Sequence, residues 1–143
     1  FFTVYGPLGR PDMALFKFTE NILNNKNVEI FNSGKHTRDF TYIDDIVDGI
    51  FSLLRKPSNN KIRYNIFNIG NGSPKNLLSY IKEIEKNLNK KAKLKKLPLQ
   101  LGDVVKTHAD IKALSKYTKY KPKTKINSGI KKFIDWYIDY NSL

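Results

Sequence analysis

The chain has 143 residues, a formal net charge of +13 and no cysteine, so it is long enough for one domain with a core and lacks disulfides and thiolate-bound metals. No apolar run approaches the roughly 20 residues that cross a bilayer, and no secretory signal is visible; no membrane partner is expected, and the predicted location is the cytoplasm. Only four of the 26 basic residues are arginine, and the lysines are spread over predicted helix faces and loops, which fits compositional bias better than a nucleic-acid surface.

The first part of the chain predicts strands and helices in alternation. Phe1 to Tyr5 is apolar and β-prone, and GPLGRPD then ends this strand. Asp12 is predicted to cap a helix from Met13 to about Asn25, before a strand at VEIF, a loop at NSGKHT and a strand at DFTYI. The next helix has apolar residues at intervals of three and four, which predict one buried stripe. This stripe consists of Ile43, Ile46, Val47, Ile50, Leu53 and Leu54.

The second part continues the alternation. KPSNN ends the helix, RYNIFNIG predicts a strand, and Ser73 followed by Pro74 predicts the start of another helix. AKLKKLPL is expected to be extended and VVKTHAD to be a short strand, before a helix from Ala109 to about Lys116 and a last amphipathic helix. Alternating elements indicate an α/β fold. Because the strands are short and several connections are long, we expect a small lobe that leans on a larger sheet, and therefore a fragment of a longer fold.

The loop after the first strand carries the first candidate ligand-binding residues. Glycines and prolines stiffen GPLGRPD, which presents Arg10, and a guanidinium on a rigid loop suits bidentate capture of a carboxylate or phosphate. Thr3 lies near the end of the strand, where its hydroxyl can reach a ligand. The alternative is that Arg10 is a solvated loop residue and Thr3 an ordinary strand residue.

Two later loops carry further candidates. Arg38 stands at a strand entry in HTRDF, where it can clamp a diphosphate or simply pair with Asp39 or Asp44. Asp44 and Asp45 open a helix, where the dipole favours negative charge, so we interpret them first as caps. Asp103 in QLGDV can accept hydrogen bonds from two vicinal ribose hydroxyls, or belong to a plain turn.

Several signatures of catalysis are missing from the sequence. The GNG stretch matches neither the dinucleotide-binding glycine pattern nor a phosphate loop. His36 and His108 lack metal-ligand spacing, so no metal site is predicted. The YTKYK stretch has a Tyr and a Lys four positions apart, but it falls at a helix end beside a proline. No catalytic residue is therefore assigned.

Together, the ordered segments FFTVYGPLGRPDMALFKF, RDFTYIDDIVDGI, YNIFNIGN, LPLQLGDVVKTHAD and GIKKFIDWYIDY resemble the C-terminal part of the extended short-chain dehydrogenases/reductases. Within that family they are most similar to NAD-dependent nucleotide-sugar epimerases, in particular UDP-glucuronate 4-epimerases. The resemblance extends from Phe1 to about Tyr140. The pairing of GRPDMA with RDFTYIDDI is what favours the glucuronate epimerases.

This resemblance implies the fold and the activity. Residues 1–143 would be the nucleotide-sugar-binding C-terminal portion of an extended Rossmann-type α/β fold, and the NAD-binding Rossmann half with the catalytic Tyr and Lys would be missing. The full-length enzyme would use NAD to convert UDP-glucuronate to UDP-galacturonate through a 4-keto sugar, and would be a homodimer. The fragment would bind the UDP-sugar substrate and be inactive alone.

The resemblance also assigns roles to individual positions. Arg38 matches the arginine at the diphosphate and Asp103 the acid that holds the ribose hydroxyls. Thr3 and Arg10 match positions that face the sugar, where Arg10 would contact the glucuronate carboxylate. Arg10, Arg38 and Asp103 are thus expected to converge on one hollow.

The resemblance assigns less specific roles to three further positions. Gln100 stands where many members place a phosphate-binding arginine, and glutamine is usual among the glucuronate-type relatives. Phe1 and Phe2 match residues that pack near the nicotinamide of the cofactor.

Other functions stay open at this point. A 4,6-dehydratase or a decarboxylase would use the same scaffold. A basic nucleic-acid-binding module would need its lysines in one contiguous stripe, and a truncated pseudo-enzyme would serve only subunit contacts. If the larger sheet is missing, apolar surface should be exposed where it docks.

Overall fold

The computed structural model of the protein describes residues 1–58 and 64–143, and within them short strands alternate with helices. The strands are β1 (Val4–Tyr5), β2 (Asn27–Ile30), β3 (Thr37–Arg38), β4 (Thr41–Tyr42), β5 (Lys75–Asn76) and β6 (Lys93–Lys96). The helices are α1 (Ala14–Leu23), α2 (Ile43–Leu54), α3 (Leu77–Leu88), α4 (Lys112–Thr118) and α5 (Ile126–Tyr140), with a 3-10 turn at Phe31–Gly34. The predicted α/β class is confirmed.

The strands pair between segments that are distant in the sequence. β1 lies parallel to β4, β2 parallel to β6, and β3 antiparallel to β5. Thr37 also forms a parallel bridge with Lys106. Parallel pairs need a crossover connection, and α1 and α2 lie within such connections. These pairings place β3, which carries Arg38, beside β5 and beside Lys106.

Aromatic rings fill the main core between α1, α3 and α5. The rings of Phe40 and Tyr80 stack with centroids 3.9 Å apart, and Tyr5 meets Tyr80 edge to face at 6.0 Å. Such pairs add stability beyond the area that they bury. A Cβ at Gly129 of α5 would clash with the Tyr5 hydroxyl, so glycine allows α5 to lie close to β1.

Asp39 is a fully buried carboxylate that joins three segments of the chain. It accepts hydrogen bonds from the backbone N–H of Asn71 at 2.9 Å, of Gly72 at 3.0 Å and of Ala109 at 2.9 Å. Its own N–H donates to Thr107 Oγ1 at 3.1 Å. Buried charge is tolerated when it is fully hydrogen-bonded, so this carboxylate holds both loops against the strand that carries Arg38.

Asp45 forms a second buried link, which corrects the interpretation of this residue as a helix cap. Asp44 and Asp45 do lie in the first turn of α2, but the cap position is Tyr42 and no side chain caps this helix. The Asp45 carboxylate instead accepts from the backbone N–H of Lys123 at 2.9 Å and of Thr124 at 3.1 Å. It therefore ties α2 to the segment that leads into α5.

The two other predicted helix caps, Asp12 and Ser73, were also wrong. Asp12 is paired with Arg10, and Met13 occupies the cap position of α1 without a side-chain bond. α3 begins at Leu77, after Ser73 and Pro74, because Asn76 caps it by accepting from the N–H of Leu78 at 2.8 Å. Pairing of β5 with β3 keeps the preceding residues extended.

Several predicted strands are shorter or absent. The first strand is reduced to Val4–Tyr5. Residues 64–69 of the predicted RYNIFNIG strand have no regular structure. Arg63 of that segment, and Asn59 and Asn60 of KPSNN, lie outside the described residues. VVKTHAD contributes only the bridge at Lys106. The helix predicted from Ala109 begins at Lys112, because the N–H of Ala109 is held by Asp39.

The apolar stripe predicted on α2 is only partly buried. Ile46 is 3% exposed and packs in a small second cluster with Leu114 and Tyr120. Val47, Ile50, Phe51 and Leu54 are all exposed. No helix among the described residues is long and apolar enough to cross a membrane. This face of α2 is thus apolar, and none of the described residues covers it.

Replacing Asp39 by alanine should strongly destabilise the fold. The change leaves three backbone N–H groups without their acceptor, which we expect to lower the free energy of unfolding by about 3–5 kcal/mol. Urea unfolding of the purified protein, followed by circular dichroism, measures this. Asp135→Ala is the control, because it removes an exposed ion pair with Lys131 that contributes at most about 0.5 kcal/mol. Equal midpoints for the two variants would contradict the role of Asp39.

Candidate functional site

A hollow of about 460 Å³ lies between α1, β2 and the strand entry of β3. One wall is polar and comprises Thr3, His36, Arg38 and Asp103. Residues of α1 and β2 also line the hollow, and they include both apolar and charged side chains, such as Phe18, Lys17 and Glu29. A concave hollow with several convergent polar groups is typical of a small-molecule site.

Arg38 and Asp103 form an ion pair on this polar wall. Nη2 of Arg38 donates to Oδ1 of Asp103 at 2.8 Å, and Nη1 donates to the carbonyl of Thr37 at 3.2 Å. The two side chains are 20% and 30% exposed, so they remain accessible from the hollow. The alternative predictions for Arg38 were wrong: Asp39 is occupied by backbone N–H groups, and Asp44 lies near Lys132.

The loop that carries Asp103 is fixed at one end. The N–H of Thr37 donates to the carbonyl of Val105 at 2.9 Å, and the N–H of Thr107 donates to the carbonyl of Thr37 at 3.0 Å. Gly102 adopts φ +80°, and a Cβ there would meet nothing within 4 Å. The carboxylate is therefore held two residues from an anchored backbone, at the end of an open glycine turn.

His36 completes the polar wall, and the sequence reasoning missed it. The residue is 3% exposed, and its Nε2 lies 3.1 Å from Oδ2 of Asp103. A signal was available: His36 and Arg38 are two positions apart in an extended segment, so their side chains point to the same face. The spacing of metal ligands along the sequence does not reveal a histidine that lies beside a carboxylate from a distant segment.

Thr3 lines this hollow, whereas Arg10 does not. The carbonyl of Thr3 accepts from the N–H of Thr41 at 2.9 Å, which fixes its position. The Arg10 side chain is 75% exposed and pairs through Nε and Nη2 with Asp12, which does line the hollow. The neighbouring guanidinium lowers the pKa of Asp12. The expected convergence holds for Arg38 and Asp103 but excludes Arg10.

Arg10 instead lines a neighbouring hollow of about 410 Å³. Phe1 and Phe2 also line it, and Thr3 is shared between the two hollows. Phe1 is 76% exposed, and the N–H of Phe2 donates to the carbonyl of Ile69 at 3.2 Å. Gln100 is exposed and lines neither hollow; its carbonyl accepts from the N–H of Asp103 at 3.1 Å.

The described residues offer no metal cluster at these hollows. No group of three or more His, Asp or Glu side chains in ranges 1–58 and 64–143 can hold a metal ion. Burial raises the pKa of Tyr5 and of Tyr80, so both phenols stay protonated at neutral pH. The arrangement is suited to binding an anion with hydroxyl groups.

The lysines are distributed over several elements. Lys95 of β6 lies 2.9 Å from Glu29, Lys131 of α5 lies 2.7 Å from Asp135, and Lys123 lies 3.7 Å from Asp48. Local ion pairs of this kind are typical of solvated faces. This distribution gives no support to the nucleic-acid alternative.

Residues 1–70 match the sequence profile of the NAD dependent epimerase/dehydratase family. The fold of the whole chain is similar to a UDP-glucuronic acid 4-epimerase from Bacillus cereus, solved in complex with UDP-glucuronic acid and NAD: the TM-score is 0.89 at 34% identity, over 97% of this chain and 44% of that one. The chain is thus similar to this family's profile over its first 70 residues, and to less than half of a 4-epimerase over almost its whole length.

Two further relatives align with almost the whole of this chain but with less than half of their own length. The chain is 46% identical to UDP-glucuronate 4-epimerase 4 of Arabidopsis thaliana, over 99% of this chain and 36% of that protein. It is 52% identical to an uncharacterised protein of Methanocaldococcus jannaschii, over 97% and 41%. The chain thus spans less than half the length of the relatives that it matches.

The Arg38–Asp103 pair should contribute to stability as a coupled unit. In a double-mutant cycle with Arg38→Ala and Asp103→Ala, we expect a coupling free energy of about 1 kcal/mol, because both side chains are mostly buried. Urea unfolding of the two single variants and the double variant measures it.

The control cycle uses Lys131 and Asp135, an exposed pair on one helix, with an expected coupling of about 0.3–0.5 kcal/mol. Strictly additive effects of the Arg38 and Asp103 substitutions would show that the pair is not coupled.

Proposed function

We propose that this chain is the nucleotide-sugar-binding portion of an NAD-dependent UDP-glucuronate 4-epimerase. The observation that carries the proposal is the pairing of Arg38 with Asp103 on the wall of a hollow large enough for a nucleotide. The similarity to epimerases solved with UDP-glucuronic acid supports the same assignment. UDP-glucuronate would be the substrate and UDP-galacturonate the product.

Arg38 and Asp103 would bind different parts of the nucleotide. A guanidinium binds phosphate oxygens through two parallel hydrogen bonds, so Arg38 would turn from Asp103 to the diphosphate. Asp103 would then accept hydrogen bonds from the two ribose hydroxyls. The ion pair in the free chain keeps both groups oriented, and the nucleotide would exchange one ionic contact of Arg38 for another.

The sugar would lie toward Thr3, which lines both hollows. Arg10 on the neighbouring hollow would contact the glucuronate carboxylate, for which it must leave Asp12. Gln100 would provide a neutral group near the phosphates, and this needs a movement of its loop. Firm binding of the UDP lets the reacting ring move, because remote contacts provide the binding energy.

The cofactor would be bound mainly by residues outside this chain. During epimerisation hydride leaves and returns at C4 of the sugar, and NAD supplies the hydride acceptor. Phe1 and Phe2 fit a contact with the nicotinamide, since they line the hollow next to Thr3. The resemblance assigns the catalytic Tyr and Lys to residues outside this chain, so we propose no catalytic residue within it.

The exposed face of α2 fits a chain that continues in a Rossmann half. Val47, Ile50, Phe51 and Leu54 form an apolar surface that a packed sheet would cover. We infer that this half precedes residue 1, carries the catalytic Tyr and Lys, and forms a homodimer through its helices. A cytoplasmic location fits an enzyme that uses a nucleotide sugar and NAD.

Replacing Arg38 by alanine should weaken UDP binding to the full-length protein by about 10- to 100-fold, the contribution of a bidentate phosphate contact. Isothermal titration calorimetry with UDP and UDP-glucuronate measures the change. Arg55→Ala is the matched control, since Arg55 is an exposed arginine at the end of α2. Unchanged UDP affinity in Arg38→Ala would count against the proposal.

Product analysis separates the reactions that share this scaffold. The full-length enzyme with NAD should convert UDP-glucuronate to an isomer of the same mass, because epimerisation only inverts C4. Mass spectrometry with chromatography of the sugar detects this. Loss of carbon dioxide would identify a decarboxylase, and loss of water a dehydratase; either result would overturn the epimerase assignment.

A further inference from the structure

His36 is a buried polar side chain that faces the hollow without a directed partner. Its side chain is 4% exposed and lines the hollow. Among the described residues, its Nε2 has no well-aligned hydrogen-bond partner, although Oδ2 of Asp103 is only 3.1 Å away. The short distance and the poor alignment are compatible, because hydrogen bonding also depends on direction. Such a group in a native fold calls for an explanation.

The surroundings hold His36 in place. Its carbonyl accepts from the N–H of Leu77 at 2.9 Å, at the first residue of α3. On the other side the chain enters β3, which pairs with β5 and is bridged to Lys106. The backbone of His36 is therefore fixed on both sides and its side chain is buried, whereas Asp103 follows the open turn at Gly102, so Asp103 is the group that can adjust.

The two oxygens of the Asp103 carboxylate face different residues. Oδ1 accepts from Arg38 at 2.8 Å, and Oδ2 faces His36 at 3.1 Å. If Arg38 turns to a diphosphate, the carboxylate loses its guanidinium partner while a second anion arrives nearby. A carboxylate in that position needs another donor to stay oriented, because an unpaired, partly buried charge is costly.

We propose that His36 is a positioning residue that holds Asp103 for the ribose hydroxyls once Arg38 binds the diphosphate; this inference rests on the proposed function. Nε2–H of His36 donates to Oδ2 of Asp103 in the nucleotide-bound state. The open turn at Gly102 permits the small shift that aligns the two groups. His36 thereby makes the site selective for a ribonucleotide.

The preference for UDP over 2′-deoxy-UDP tests this role directly. A merely structural residue would change the affinity for both ligands equally, whereas a residue that acts through Asp103 changes their ratio. In the full-length protein, we expect His36→Asn to lower the ratio of UDP to 2′-deoxy-UDP affinity by about tenfold, the equivalent of one charge-assisted hydrogen bond. His36→Leu should behave in the same way.

The matched variants distinguish the effect of side-chain length at position 36 from the effect of side-chain polarity. His36→Gln should keep most of the preference, because its amide nitrogen reaches about as far as Nε2, whereas the shorter Asn side chain cannot reach Asp103. His108→Gln is the control at the other histidine, which is exposed and whose Nε2 lies 3.3 Å from the carbonyl of Gly72. In an Asp103→Asn background, His36→Asn should have little further effect on the ratio.

The outcomes distinguish this inference from the proposed function. An unchanged ratio in His36→Asn would overturn the inference while leaving the function intact, as would an equal loss of affinity for both ligands. If the wild-type protein binds no UDP, the proposed function fails and this inference fails with it. Calorimetry on variants with an unchanged circular dichroism spectrum provides all of these values, and His36→Asn, which keeps a polar side chain, is used where His36→Leu does not fold.

Discussion

The buried carboxylate of Asp39 is the constraint on which the arrangement of this chain depends. Asp39 gathers three backbone N–H groups from the loop at Asn71 and Gly72 and from the segment at Ala109. Its neighbour Arg38 thereby has a fixed backbone on both sides, and the loop that carries Asp103 is drawn toward the same strand. A site made of short loops needs such a rigid support, because two-residue strands have few ladder hydrogen bonds of their own.

The pairing of Arg38 with Asp103 explains how the site remains ordered without a ligand. Each group neutralises the other, so neither charge is buried alone. In the proposed complex, a diphosphate would replace Asp103 at the guanidinium and ribose would replace Arg38 at the carboxylate. His36 would then be the remaining partner of Asp103 within the wall. The site would thus exchange contacts without leaving a charge unpaired.

Local signals predicted much of the fold, whereas long-range contacts decided its details. The α/β alternation and the amphipathic helices follow from apolar spacing. Arg38 and Asp103 were candidates from their loops, and the resemblance supplied the roles predicted for them. The sequence could not show that Asp45 binds backbone N–H groups at positions 123 and 124, because an acidic residue at a helix start is usually explained by the dipole. His36 was missed because its partner, Asp103, is distant in the sequence. The sequence reasoning also did not anticipate that Arg10 pairs with its neighbour Asp12 in the chain without a ligand.

The central claim is that one nucleotide is held between Arg38 and Asp103. A crystal structure of the full-length protein with UDP tests it most directly. The account predicts that the Arg38 guanidinium lies within hydrogen-bonding distance of the diphosphate oxygens and that the Asp103 carboxylate accepts from the ribose hydroxyls. A complex in which Arg38 remains paired with Asp103 while the diphosphate is bound elsewhere would contradict it.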